Sequence, residues 1–108
     1  MSYQRPEDLA QAKALARLAP REAQAFLGLK AAAERSDGAI PAKYRELISV
    51  AVALTTQCSY CIDVHSANAA REGATREELA ETVFIAAALR AGAAVGHGLL
   101  ALRLYDQA

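Results

Sequence analysis

The chain has 108 residues, a length typical of one domain, and we expect residues 1–108 to fold as a single unit. Its 12 basic and 12 acidic residues give a formal net charge of zero, and the basic residues do not cluster. The sequence therefore argues against a groove that follows nucleic-acid phosphates. Apolar residues make up 54%, a large share for so short a chain, so we expect a subunit interface to cover the surplus.

The first eight residues contain no apolar segment of the kind found in secretion signals, which predicts a cytoplasmic protein. Residues 83–102 are long and apolar enough to resemble a membrane span. Arg90 lies among them, and an arginine at the bilayer centre costs about 2.5–3.5 kcal/mol. The many Ala and Gly residues there offset little of that cost. We therefore expect a buried or interfacial helix pair and no membrane contact.

The pattern along the chain predicts an all-α bundle of about six helices. The first spans residues 6–18, and Pro20 suits the first turn of the second, where its missing N–H is not needed. Ser36-Asp37-Gly38 should end the second helix, and Pro41 opens the third, which should end near Gln57. The apolar residues of this third helix recur at helical spacing and predict its core face: Tyr44, Leu47, Ile48, Ala51 and Leu54.

The cysteine segment opens the fourth helix, for which Gly73 should provide the C-terminal cap. Thr75 and Glu78 have the spacing of a capping box for the fifth helix. Gly92 is expected to interrupt that helix, so that a sixth follows it. Phe84 and Leu89 are most simply core residues, and the sixth helix carries Val95, Leu99, Leu102 and Tyr105.

Cys58 and Cys61 are the only two cysteines. In a cytoplasmic protein such a C-x-x-C pair is more often catalytic or metal-binding than a structural disulfide. If Cys58 begins a helix, Cys61 and His65 follow at i+3 and i+7, on the same face. The partial positive charge of the helix N-terminus favours thiolates there, and His65 is placed to exchange a proton with Cys61.

Glu46 lies twelve residues before Cys58, on the preceding helix and among apolar neighbours. A carboxylate in that setting faces solvent, pairs with Lys43 or Arg45, or has a buried partner. If the third and fourth helices pack side by side, Glu46 reaches His65 or a cysteine. We therefore include Glu46 as the fourth candidate residue of the site.

These residues form the pattern E-x11-C-x2-C-x3-H, made by Glu46, the Cys58-Ser59-Tyr60-Cys61 segment and His65. With its flanking residues, 44–48 and 65–73, the pattern resembles the alkyl hydroperoxidase D (AhpD)-like group of the carboxymuconolactone decarboxylase family. The resemblance covers most of the chain, from about Ile40 to Leu102. It implies an all-α thiol peroxidase with antioxidant activity.

By this resemblance Cys61 is the peroxidatic nucleophile, Cys58 is the resolving cysteine, and Glu46 and His65 relay protons. A peroxide is the substrate, and the sulfenic acid formed at Cys61 condenses with Cys58 to a disulfide. A dithiol reductant, such as a lipoylated protein or a thioredoxin-like donor, then reopens that disulfide. The resemblance also implies a homo-oligomer, either a trimer or a hexamer, and no bound cofactor or metal.

One position departs from the family pattern, because Tyr60 stands where the best-known member has a histidine. Either the relay is shorter in this chain or the Tyr60 hydroxyl replaces that histidine, and a tyrosine that only lines the pocket is the simpler alternative. His97 lies between two glycines that allow close approach of another helix. We expect it at a packed or interfacial position rather than in the site.

Two other functions are compatible with the same residues. The decarboxylase branch of the family acts on a lactone, a chemistry that does not need a C-x-x-C pair. A zinc-binding or redox-sensing module would use Cys58, Cys61 and His65, with Glu46 or His97 as a fourth ligand. That donor set lacks a second pair of ligands, whereas structural zinc sites usually have two separated pairs.

Overall fold

The computed structural model describes residues 4–108, which form helices and connecting turns and contain no strand. A short 3₁₀ helix, Pro6–Gln11, leads directly into the first α-helix. The five α-helices are α1 (Ala12–Leu18), α2 (Pro20–Ala33), α3 (Ala42–Thr56), α4 (Ser59–Arg71) and α5 (Arg76–Asp106). The predicted all-α class is confirmed, and the cysteines lie at the start of the fourth α-helix as expected.

Most helix boundaries coincide with residues that start or end helices. Pro20 occupies the first turn of α2, and Gln57 ends α3 in the left-handed conformation with φ of 58°. Gly73 follows α4 with φ of 87°, a conformation that glycine adopts without steric cost. Thr75 and Glu78 form the predicted capping box, in which each side chain bonds the other's backbone N–H. Two boundaries deviate from the prediction. Residues 6–11 of the first predicted helix form the 3₁₀ helix, so α1 begins at Ala12, and α2 ends at Ala33, before Ser36-Asp37-Gly38.

The prediction that Gly92 divides the C-terminal segment into two helices is wrong, because α5 continues through it for 31 residues. At 1.5 Å per residue this helix is about 46 Å long. A glycine inside a helix costs only about 1 kcal/mol relative to alanine, which does not stop a helix whose neighbours favour it. Good helix formers surround Gly92: Ala86, Ala87, Ala88, Leu89, Ala91, Ala93 and Ala94.

The core lies where α3 packs against α4 and α5. Of the predicted core face of α3, Leu47 is buried but Tyr44 and Ile48 are exposed. The buried apolar residues of the part of the chain that the structure describes are Leu47, Val50, Ala53, Ala69 and Ala86. Three of these five residues are alanines, so the side chains of the core are small.

The C-terminal apolar segment was expected to be either buried or interfacial. Burial within the single chain, with Phe84 and Leu89 in the core, is wrong, and the interfacial position stays a prediction. Phe84 is 73% exposed and Leu89 is 67% exposed, and 6% of the most apolar window of α5 is buried. By length and composition α5 could cross a membrane. However, its Arg90 side chain donates a hydrogen bond of 2.8 Å to the carbonyl oxygen of Thr55, at the end of α3. This contact fixes α5 against the core.

Two charged side chains connect neighbouring elements. Arg45 donates from Nε to the carbonyl of Ile40 at 2.8 Å and from its guanidinium to the carbonyl of Ala33 at 2.7 Å, which fixes the end of α2 beside α3. Lys43 pairs with Glu78 at 2.9 Å and so joins α3 to the start of α5. This ion pair raises the pKa of Lys43. The pKa of Glu78 is lowered, mainly by the hydrogen bond from the Thr75 backbone N–H and secondly by the pairing with Lys43.

The described residues have a radius of gyration of 17.8 Å and extents of 51 × 38 × 35 Å. A compact domain of this size has a radius of gyration of roughly 13 Å. Helices α1 and α2 pack mainly on each other, and every residue of α5 after Ala86 is exposed. The chain is therefore open, with apolar helix faces in contact with solvent.

Candidate redox site

The site begins at the sharp corner between α3 and α4. Gln57 takes the left-handed conformation, and the Cys58 backbone N–H then donates to the carbonyl of Ala53 at 3.0 Å. Cys58 itself is extended and becomes the N-cap of α4. This geometry places its side chain over the first turn of the helix, where backbone N–H groups lack intrahelical partners.

Cys58 and Cys61 form a disulfide, with their Cα atoms 5.3 Å apart. The Cys58 sulfur also accepts the backbone N–H of Cys61 at 3.3 Å. A sulfur in this capping position experiences the positive end of the helix dipole, which stabilises a thiolate when the pair is reduced. Both cysteines are partly exposed, so a reagent from solvent can reach them.

Glu46 and His65 meet across the packed faces of α3 and α4. The Nδ1 atom of His65 lies 2.6 Å from Oε2 of Glu46, and the two side chains are only 12% and 13% exposed. Glu46 shares its helix face with the buried Val50 and Ala53, which explains how a glutamate comes to lie against α4. The alternatives for Glu46 are not observed, since Lys43 pairs with Glu78 and Arg45 binds backbone carbonyls.

His65 lies one helical turn after Cys61, on the same side of α4. Within residues 4–108 no hydrogen bond joins the His65 ring to either sulfur, which is consistent with the oxidised pair having no thiol proton to give. The structure therefore brings the predicted residues together as two adjacent pairs, a disulfide and a Glu46–His65 hydrogen bond.

A second acidic residue, Glu34, belongs to this cluster and was missed by the sequence analysis. It follows the last residue of α2, and its Oε1 lies 3.9 Å from Nε2 of His65. Its other oxygen pairs with Lys30 at 2.5 Å. One local signal was available, because a negative charge at the C-terminal end of a helix is unfavourable and calls for a partner.

Tyr60 is engaged away from the relay. Its hydroxyl donates to Oδ2 of Asp8 at 2.6 Å, and this hydrogen bond, more than partial desolvation, raises the pKa of Tyr60. The Ser59 backbone N–H, at the start of α4, donates to the side chain of Gln4 at 3.1 Å. The hypothesis that the Tyr60 hydroxyl replaces the family's histidine in the relay is not supported by this geometry.

The side chains that could jointly hold a metal ion in the described part of the chain are Glu34, Glu46 and His65, whose ligand atoms lie within 4.8 Å of one another. Neither cysteine nor His97 belongs to this group. His97 lies on the exposed C-terminal half of α5. The donor set considered for zinc, two thiolates with His65 and a fourth ligand, is thus not assembled in the oxidised chain.

Two large apolar grooves lie away from the disulfide. One, of about 420 Å³, runs between α3 and α5 and includes Tyr44, Ile48 and Ile85 in its lining. The other, of about 530 Å³, lies between α1 and α2 and includes Leu15 and Phe26. Both are open helix faces, which is the form expected of surfaces that another protein subunit covers.

Comparison with known proteins places the site in context. The sequence model of the carboxymuconolactone decarboxylase family matches residues 20–104, a stretch that includes Glu34, Glu46, both cysteines and His65. The "Uncharacterized protein 4 in cox locus" of Paracoccus denitrificans is 47% identical over 72 residues, which are 67% of this chain and 65% of that protein. This chain thus spans just under two thirds of the Paracoccus protein.

Two further relatives cover more of their own length. An uncharacterised protein of Cupriavidus necator is 38% identical over 93 residues, or 86% of this chain and 81% of that protein. An uncharacterised protein of Haemophilus influenzae is 43% identical over 87 residues, or 81% of this chain and 76% of that protein. None of these three names states an activity.

Proposed function

Because this chain belongs to the carboxymuconolactone decarboxylase family, we propose that its C-x-x-C pair works as a thiol-dependent peroxidase of the alkyl hydroperoxide reductase type. The pair reduces peroxides and passes through a disulfide in each cycle. Peroxide is the oxidant, and a dithiol is the reductant.

One observation supports this proposal above the others: the Cys58–Cys61 disulfide begins the same helix whose next turn carries the Glu46-bound His65. A C-x-x-C pair alone fits several chemistries. An adjacent histidine held by a carboxylate adds what a peroxidase requires, a base that accepts the thiol proton and returns it to the leaving oxygen. Lactone decarboxylation would not use the two sulfurs.

The oxidative half of the cycle has two steps. The Cys61 thiol transfers its proton to the Glu46–His65 pair, and the thiolate attacks one peroxide oxygen. The O–O bond breaks, the alkoxide takes up the proton and leaves as an alcohol, and Cys61 becomes a sulfenic acid. Cys58 then attacks the Cys61 sulfur, which forms the S–S bond and releases water.

The two cysteines differ in a way that fits these roles. Cys58 caps the helix and receives a backbone N–H, which favours its thiolate and thus its attack on the sulfenic acid. Cys61 lies on the His65 side of α4, which favours loss of its proton in the first step. Thiolate–disulfide exchange with a dithiol then restores both thiols and yields the reductant's own disulfide. A lipoylated protein or a thioredoxin-like donor supplies such a dithiol.

The proposal is tested with reduced protein and cumene hydroperoxide, by following peroxide loss and free thiols together. Wild type should lose one peroxide per two thiols. Cys61→Ser should consume no peroxide beyond the background, whereas Cys58→Ser should consume one equivalent and stop at the sulfenic acid. Equal peroxide loss by Cys61→Ser and wild type would refute the assignment. Activity on a lactone that survives removal of both cysteines would support the decarboxylase alternative.

We further propose that the working form is a cytoplasmic homo-oligomer, a trimer or a hexamer. The support is the open shape of the chain and the apolar residues exposed along α5, among them Val95, Leu99 and Leu102. An apolar helix with so little burial in one chain is stabilised when identical helices pack on it.

A further inference from the structure

We propose that Glu34 is a positioning residue of the relay, which stabilises the protonated ring of His65 from the side opposite Glu46 and so promotes loss of the Cys61 proton. This inference rests on the proposed function, in which His65 takes up that proton. Glu34 comes from α2, so the inference also gives the N-terminal helices a part in the chemistry.

The two carboxylates face different nitrogens of one ring. Glu46 accepts from Nδ1 at 2.6 Å, and an ionised carboxylate can only accept, so the proton of a neutral ring is assigned to Nδ1. Nε2 then carries a lone pair, and it is this nitrogen that faces Glu34 at 3.9 Å. The proton from Cys61 therefore enters the ring at Nε2.

The contact with Glu34 changes character when that proton arrives. At 3.9 Å it is too long for a hydrogen bond, so its effect is electrostatic. A neutral ring presents a lone pair to the carboxylate and gains nothing, whereas a protonated ring gains the attraction of two negative charges. Because the His65 side chain is only 12% exposed, water screens this attraction incompletely.

Glu34 is held in place for this role. Its Oε2 pairs with Lys30 one turn earlier on α2, which leaves Oε1 directed at His65. The charged groups that face the ring are thus Glu46 from α3 and Glu34 from the end of α2, with Lys30 behind Glu34. The Glu34 side chain is 26% exposed, twice the value for Glu46, so it forms the outer end of the cluster.

The test measures thiolate formation at Cys61 without peroxide. In a Cys58→Ser background Cys61 is the only thiol, and serine preserves the helix cap. The rate at which its sulfur displaces iodide from iodoacetamide is followed from pH 6 to 10 by mass spectrometry. Glu34→Gln should slow this alkylation about three- to tenfold at pH 7, with the difference disappearing near pH 10, where the thiol ionises unaided.

Two variants make the result specific. Glu34→Asp keeps the charge and should restore part of the rate, and Glu22→Gln, an exposed glutamate on the same helix, should behave as the parent protein. Superimposable profiles for Glu34→Gln and the parent would overturn the proposal, as would a uniform slowing at all pH values, which indicates a structural effect. A wild-type protein that does not reduce peroxide would refute the proposed function and leave this comparison valid.

Discussion

The Tyr60 hydroxyl donates to Oδ2 of Asp8 at 2.6 Å and so ties the first turn of α4 to a residue 52 positions earlier in the chain. The backbone N–H of the preceding Ser59 donates to Gln4 of the same N-terminal segment. Residues 4–8 therefore lie against the start of the helix that carries the disulfide, and Tyr60 anchors them. We therefore predict that this segment limits the access of a reductant to the two sulfurs.

Tyr60→Phe is expected to accelerate reduction of the disulfide. The variant keeps the aromatic ring but loses the hydrogen bond to Asp8, so the N-terminal segment opens more often. Reduction by dithiothreitol at pH 7, followed by thiol release, should become about two- to fivefold faster. Tyr105→Phe, at an exposed tyrosine near the end of α5, is the matched control and should leave the rate unchanged. A rate for Tyr60→Phe equal to that of wild type would show that the segment does not restrict access.

The same contact should be visible in the titration of tyrosine. The Asp8 hydrogen bond raises the pKa of Tyr60 above its ordinary 10.0, so the phenol keeps its proton to higher pH in the folded state than in the unfolded state. Its contribution to stability is thus complete below about pH 10 and is lost as the pH rises through the raised value. Asp8→Asn should lower the midpoint of the Tyr60 titration. The absorbance of Tyr60 at 295 nm is obtained by subtracting the titration of a protein that carries Tyr60→Phe from that of the same protein without it. An unchanged midpoint in Asp8→Asn would show that Asp8 does not raise the pKa of Tyr60.

Glu46→Gln tests the inner half of the relay. Glutamine keeps the size of the side chain but replaces the carboxylate that fixes the His65 ring, so proton transfer from Cys61 loses its oriented base. We expect peroxide reduction at pH 7 to fall about a hundredfold, within the usual range for general-base contributions. Glu72→Gln, at the exposed end of α4, serves as the control with the same change of charge. Unchanged turnover in Glu46→Gln would remove Glu46 from the mechanism.

Most helix boundaries could be predicted because the residues that set them act locally. Pro20, Gly73 and the Thr75 capping box impose or permit a backbone conformation whatever surrounds them. Gly92 was misread for the complementary reason, since a single glycine weakens a helix by about 1 kcal/mol and its neighbours decide the outcome. The burial of α5 could not be judged from one chain, because an apolar sequence shows that a surface needs cover and does not show which chain covers it.

The site residues that lie close together in the sequence were easier to predict than those that lie far apart. Cys58, Cys61 and His65 share a face of one helix, so their spacing alone brings them together, and the Glu46 contact needed only the packing of α3 on α4. To place Glu34 in the site, the position of α2 had to be known as well. That position depends on the hydrogen bonds of Arg45, which no periodic pattern in the sequence reveals. The negative charge at the end of α2 indicated that Glu34 needs a partner, but tertiary structure was needed to identify that partner as His65.

Arg45→Met is expected to destabilise the fold and displace Glu34. The variant removes two hydrogen bonds, to the carbonyls of Ala33 and Ile40, that fix the end of α2 beside α3. We expect the free energy of unfolding in urea to fall by about 1–3 kcal/mol. Arg35→Met is the control, because within residues 4–108 Arg35 contacts only the carbonyl of Ala32, at the end of its own helix, and the exposed Asp37. Equal stability of Arg45→Met and wild type would show that other contacts hold α2 in place.

Leu99→Glu should disrupt assembly through α5. Leu99 is 69% exposed in the single chain and lies on the part of α5 after Ala86, where every residue is exposed, so in the proposed oligomer it is buried between subunits. A glutamate there places an unpaired charge in an apolar interface, and we expect light scattering after size exclusion to report monomers where wild type gives a trimer or hexamer. Ala70→Glu, at an exposed position of α4 that lines neither apolar groove, is the control and should preserve the oligomer. A monomeric wild type would refute the proposed assembly, and recovery of wild type in the membrane fraction, released only by detergent, would instead assign the apolar surface of α5 to lipid.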